Sequence, residues 1–194
     1  MTTELGRRQF LAALAAVAVR PTLSAAEKPM RGIFPIVATP FTQDNQVDYE
    51  DLAREADFLE RCGAHGMVWP QIASNYRNLA KEERMKGMEV LAQAARKRKP
   101  ALVLGVQAAT IEQMLEYARK AESLEPDALI AIPPLEGKSL EDSRAYYRAL
   151  GRLTKRPVFI QTAGGGPGTE PTVELMLELA REFPNFGYVK EEVG

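Results

Sequence analysis

The 194-residue chain has one cysteine, one histidine and one tryptophan. A single cysteine excludes an intramolecular disulfide framework and any zinc site built on several thiolates. A single histidine argues against a His-based metal site or a Ser-His triad. An excess of charge is missing too. The 25 Lys+Arg nearly balance the 26 Asp+Glu, for a net charge of -1, so nothing draws the chain to nucleic acid or acidic lipid. Long apolar runs are absent; the run from Phe10 to Val19 falls well short of the roughly 20 residues a membrane span needs. There is no interior linker and no low-complexity tract. What remains, 45% hydrophobic and 26% charged residues, is the composition of an ordinary globular domain.

The N-terminus reads as an export signal rather than part of the fold. Arg7 and Arg8 precede the short apolar run, and Arg20, Pro21 and the small residues Ser24, Ala25 and Ala26 follow it. Paired arginines ahead of Phe10 and Leu11 resemble a twin-arginine signal, which exports folded proteins. The expectation is a signal over 1–26, a mature domain over 27–194, a periplasmic location and membrane contact only during export. The alternative is a cytoplasmic protein with an amphipathic N-terminal helix. Cleavage would remove three arginines and one glutamate, leaving 22 basic and 25 acidic residues, a net charge of -3.

From Gly32 onward, short apolar runs over 33–39, 67–69, 101–106, 128–132, 158–161 and 187–190 alternate with amphipathic stretches roughly 12–18 residues long. Ile111, Met114, Leu115, Ala118 and Ala121 form one helical stripe, with Thr110 as its cap. Asp48 and Ser139 mark two further helix starts, and the basic run 96–99 suits a helix C-terminus. Six such units predict an α/β fold with a parallel sheet and helices outside it. An open doubly wound sheet should carry a glycine fingerprint after its first strand, where this chain has Thr39-Pro40-Phe41-Thr42. A (β/α)₈ TIM barrel fits better. A whole barrel takes about 250 residues, so the expectation is a chain covering the first six strands, with open edges at the first and sixth.

Barrel active sites lie at the C-terminal ends of the strands. That directs attention to Thr39, Trp69 through Asn75, Gln107, Ile132 through Leu135, Gln161 through Gly166, and Lys190. Lys190 ends an apolar strand, where desolvation disfavours the ammonium and would free an amine to attack a carbonyl. Equally, it could be a surface lysine paired with Glu191 or Glu192. The Gly164–Gly168 run suits a flexible loop at the pocket rim. Cys62 and His65 precede a strand, at the stability face. Tyr146 and Tyr147 suit helix packing, and Trp69 could line the pocket or fill the core.

Three segments in order carry a family resemblance: residues 32–41 ending Ala38-Thr39-Pro40-Phe41, residues 66–84 with Leu79-x-x-Glu82-Glu83-Arg84, and Tyr188-Val189-Lys190-Glu191. Together they resemble the dihydrodipicolinate synthase/N-acetylneuraminate lyase family of class I aldolases, from Gly32 to the end of the chain. The resemblance implies a (β/α)₈ barrel, a homo-oligomer, and a Schiff base between Lys190 and pyruvate or another 2-oxo acid. It implies no metal and no organic cofactor, since the imine is the electron sink.

The other site positions depart from the family. Its Gly-Thr-Thr-Gly-Glu, which holds the keto-acid carboxylate, aligns with Gln71, Ile72, Ala73, Ser74 and Asn75. Its proton-relaying tyrosine falls at Gln161, and its second strand-three glycine at Gln107. An amide has no usable pKa for proton relay. The reading is a lyase in which Lys190 and Gln161 are catalytic and Gln71, Ile72, Ala73, Ser74, Asn75 and Gln107 contact a small 2-oxo acid or sugar acid. The alternative is a non-catalytic exported binding protein on the same scaffold.

Overall fold

The computed structural model describes residue 28 and residues 30–192; the expected export signal over 1–26 lies outside them. Five strands, β1 (Gly66–Trp69), β2 (Ala101–Gly105), β3 (Ala128–Ala131), β4 (Val158–Gln161) and β5 (Tyr188–Lys190), form one sheet in chain order with every pairing parallel. Helices α1 (Tyr49–Arg61), α2 (Lys81–Ala95), α3 (Ile111–Ser123), α4 (Leu140–Leu153) and α5 (Val173–Glu182) alternate with them. The arrangement is the curled α/β sheet of a partial TIM barrel.

The first expected strand is present only in part. Segment 33–37 lies parallel to β1: Val68 N donates to Pro35 O at 3.0 Å and Val37 N to Val68 O at 2.9 Å, bridging Ile36 to Val68. One pair further back, Gly66 N donates to Ile33 O at 3.2 Å. The return bond would have to come from the nitrogen of Pro35, which has no hydrogen. Proline therefore reduces this strand to a single bridge.

Alternation along the strands divides the apolar residues between two faces. Met67, Trp69, Leu102, Leu104, Leu129, Ala131, Val158 and Ile160 join the helices in the larger core. Val68, Val103 and Ile130 face the other way, with Ile36, Phe34 and Phe159 against them. The helix starts follow the expected caps. Asp48 accepts from Glu50 N and Asp51 N at 3.1 and 3.0 Å, Thr110 from Gln113 N at 3.4 Å, and Ser139 from Asp142 N at 3.2 Å. Arg98 donates to Ala94 O at the end of α2 and pairs with Asp57 and Glu60. Among the described residues no helix is long and apolar enough to cross a membrane.

Candidate active site at the strand ends

Trp69 belongs to the core rather than the pocket. It is fully buried beneath α2, and its Nε1 donates to Thr39 Oγ1 at 3.0 Å. Tyr146 and Tyr147 are also buried under the sheet. Tyr146 OH accepts from Ala108 N at 2.9 Å, and Tyr147 OH donates to Ala131 O at 3.0 Å, so each ties α4 to a strand end. Burial pushes both phenols up, away from any proton relay near neutral pH. Cys62 is exposed at the end of α1, and His65 Nδ1 accepts from Ile33 N at 3.2 Å. Both lie before β1, at the N-terminal end of the strands. No group of three or more His, Cys, Asp or Glu among the described residues could hold a metal ion.

Beyond the strands, the residues aligned with the family motif go separate ways. Gln71 turns inward and is fully buried; Ile72, Ala73 and Asn75 are exposed. Asn75 adopts φ 55°, ending one 3₁₀ turn and opening the next, a left-handed position that asparagine tolerates. The Ser74 hydroxyl is already engaged: it accepts from Gln71 N at 3.0 Å and donates to Val37 O at 2.6 Å. Thr39 donates in turn to Ser74 O at 2.5 Å. These hydroxyls hold the β1 loop onto segment 33–37 rather than facing a ligand.

Gln71 and Gln107 do meet. Gln107 Nε2 donates to Pro70 O at 2.8 Å, and Gln71 Nε2 donates to Gln107 Oε1 at 3.1 Å. A Cβ at Gly105 would sit 2.0 Å from Pro70 O and 2.9 Å from Gln107 Oε1, so this pairing requires glycine at the end of β2. Arg84, from the buried face of α2, supports the same corner. Its Nη1 donates to Gln107 O at 2.7 Å and its Nη2 to Gly105 O at 2.8 Å, while its guanidinium lies 3.8 Å from the centre of the Tyr117 ring. Burial lowers the Arg84 pKa to about 10, which leaves it cationic at neutral pH.

The second cluster is at the ends of β4 and β5. Gln161 and Lys190 are register partners. Glu192 joins them: one carboxylate oxygen pairs with Lys190 Nζ, and the other accepts from Gln161 Nε2 at 2.7 Å. Thr162 Oγ1 accepts from Glu192 N at 2.9 Å and fixes the turn. The Lys190 side chain is 26% exposed, less secluded than the sequence suggested, and carries an ion pair. It does line an inner cavity of about 310 Å³, walled by Phe34, Val68, Val103, Ile130 and Phe159. Between the clusters, the glycine-rich loop crosses the rim. Arg77 Nη2 donates to Gly164 O at 2.9 Å, and Gly164, at φ 95°, fits against Ile72 and Ile132 with no room for a Cβ.

The model of the Dihydrodipicolinate synthetase family aligns with residues 29–194, which include every strand of this sheet. The chain belongs to that family. It is similar to the 4-hydroxy-tetrahydrodipicolinate synthase of Phocaeicola vulgatus, at 30% identity over 166 residues, covering 85% of this chain and 56% of that protein. In fold it is similar to a prophage protein of the dihydrodipicolinic acid synthase family from E. coli K12 in complex with pyruvate, with a TM-score of 0.78, 23% identity, and 84% and 55% of the two chains covered. It also resembles the N-acetylneuraminate lyase of Mycoplasma synoviae, with a TM-score of 0.72, 23% identity, and 84% and 55% covered. The chain thus spans about half the length of the curated relatives it matches.

Sequence reasoning brought Lys190 and Gln161 together and missed Arg84 as a support. The signal was present, since Arg84 falls on the same helical face as Gly87, Met88 and Leu91, all buried.

Proposed function

We propose that this protein is a class I lyase that acts on a small 2-oxo acid through a Schiff base at Lys190. The supporting observation is the placement of Lys190, which ends a strand of a family barrel and lines the inner cavity. In this reading the Lys190 ammonium gives up a proton to solvent, and the Nζ lone pair adds to the C2 carbonyl. The carbonyl oxygen leaves as water, its two protons coming from the amine nitrogen and from solvent. The iminium then accepts the electron pair of a breaking C–C bond while the hydroxyl on the departing carbon loses its proton to solvent, giving an enamine and a carbonyl product; protonation of the enamine carbon and addition of water to the resulting iminium release the 2-oxo acid and restore the amine. Gln161 replaces the family tyrosine and cannot relay protons; its part is to hold Glu192 beside the amine. The ligand is a 2-oxo acid or sugar acid, the assembly a homo-oligomer, and the location the periplasm, reached through the signal over 1–26.

The test is reductive trapping in the whole protein. Incubation with pyruvate and borohydride should leave a reduced adduct on Lys190, and Lys190→Arg should abolish it, because a guanidinium stays protonated. A second reading, a binding protein without chemistry, is favoured by the ion pair on Lys190 and by the missing threonine pair. It predicts no adduct, together with equal ligand-induced stabilisation of wild type and Lys190→Arg.

A further inference from the structure

We propose that Glu192 is a restraining counter-ion, a positioning residue that keeps Lys190 paired and slow to form an imine until the contact breaks. This rests on the reading of Lys190 as the reacting amine. Glu192 follows β5 but is anchored on the end of β4. Its backbone N donates to Thr162 Oγ1 at 2.9 Å, and one carboxylate oxygen accepts from Gln161 Nε2 at 2.7 Å. The other oxygen pairs with Lys190 Nζ. Gln161 is fully buried, so the carboxylate is set beside the lysine by a fixed amide rather than drawn there as a loose surface pair. The amide that stands where the family has its tyrosine is thus the anchor of the contact.

The other groups around Lys190 do not take this part. Gln161 and Thr162 of β4 are uncharged, and Glu191 accepts from Thr162 Oγ1 at 2.9 Å. Tyr188, two residues back on the same face, stacks on Phe159 at 4.8 Å, and Arg31 lines the same cavity. Glu192 is the carboxylate that carries the ion pair. An ammonium has three donors and no lone pair, so while it is bound to Glu192 it cannot add to a carbonyl. Reaction requires the pair to separate and the ammonium to give its proton to solvent. With the two side chains 26% and 36% exposed, water reaches the pair, and the restraint is reversible.

The experiment compares wild type and Glu192→Gln in the whole protein, by two readouts. Competitive labelling with limiting acetic anhydride, quantified by mass spectrometry at Lys190 relative to exposed Lys155, reads amine reactivity without any ligand. Pyruvate with cyanoborohydride reads the initial rate of imine formation. Glutamine keeps the shape of the side chain and removes its charge. Acetylation of Lys190 and trapping by pyruvate should therefore both rise about 3- to 5-fold, the scale of a partly exposed ion pair. In about 1 M salt, where the screening length falls to about 3 Å, wild-type acetylation should approach that of the variant. A Glu192 that served only the fold would change the melting temperature and leave Lys190 no more reactive. Equal acetylation of Lys190 in the two proteins overturns the inference, as does a measurable trapping rate that the substitution leaves unchanged. If acetylation rises as expected but pyruvate is trapped by neither protein, the Schiff-base reading fails and the restraint on the amine stands.

Discussion

Replacing Arg84 with methionine removes a buried cation without leaving a hole, and two opposing effects decide the outcome. The guanidinium makes two charge-assisted bonds, at 2.7 and 2.8 Å, to the carbonyls of Gln107 and Gly105. Bonds of that kind contribute about 1.5–3 kcal/mol each. Its approach to the Tyr117 ring favours the cation further and is already part of the net fall of its pKa to about 10, which burial dominates. Measured from the ordinary arginine value, that fall corresponds to about 3.5 kcal/mol against the buried charge at about 1.4 kcal/mol per pKa unit. The difference predicts that Arg84→Met destabilises the protein by about 1–2 kcal/mol, because the two carbonyls are left buried and unbonded. Arg84→Lys keeps the charge but loses the planar fork, and should cost about half as much. Urea unfolding followed by the fluorescence of the single tryptophan, fully buried at position 69, reads this directly. Stability equal to wild type, or higher as in some buried ion networks, would show that desolvation dominates and that Arg84 does not hold the β2 end.

Two further expectations are simpler. A methyl group at Gly87 would lie 2.2 Å from the Trp69 ring, so Gly87→Ala should destabilise by about 1–3 kcal/mol despite its better helix propensity, and should shift the tryptophan emission; an unchanged melt and spectrum would refute that packing. For export, replacing Arg7 and Arg8 with lysine should leave an uncleaved precursor in the cytoplasm, and unaltered processing near Ala26 would remove the twin-arginine assignment.

The strands were legible because each is a short apolar run bounded by proline, glycine or a cap. Their faces were not. Parallel strands are buried on both sides, so alternation gives no sign of which residues look inward, and Trp69 could not be assigned until Gly87 was seen beneath it. Pro35 was visible, but its effect depends on which neighbour needs the missing donor, a property of register. The place of Lys190 at a strand end was legible, but position alone left open the pairing with Glu192 that the structure shows. Ser74 looked like a pocket hydroxyl by alignment, yet it bonds a carbonyl 37 residues earlier in the chain, and nothing local signals that contact. The Gln71–Gln107 pair is separated by 36 residues and was found as two candidates without a relation between them.

That relation changes what the departure from the family means. A threonine hydroxyl can donate or accept, so a pair of threonines adapts to a carboxylate. A glutamine amide has two unlike ends, and whichever end the protein uses determines the one left for a ligand. Here the protein uses the donor ends, on Pro70 O through Gln107 and on Glu192, and in both places the acceptor remains. The substitutions at 71 and 107 therefore act together. Gln107 alone would have no amide to orient, Gln71 alone could turn either end to a ligand, and Gln161 alone would replace a proton relay with nothing.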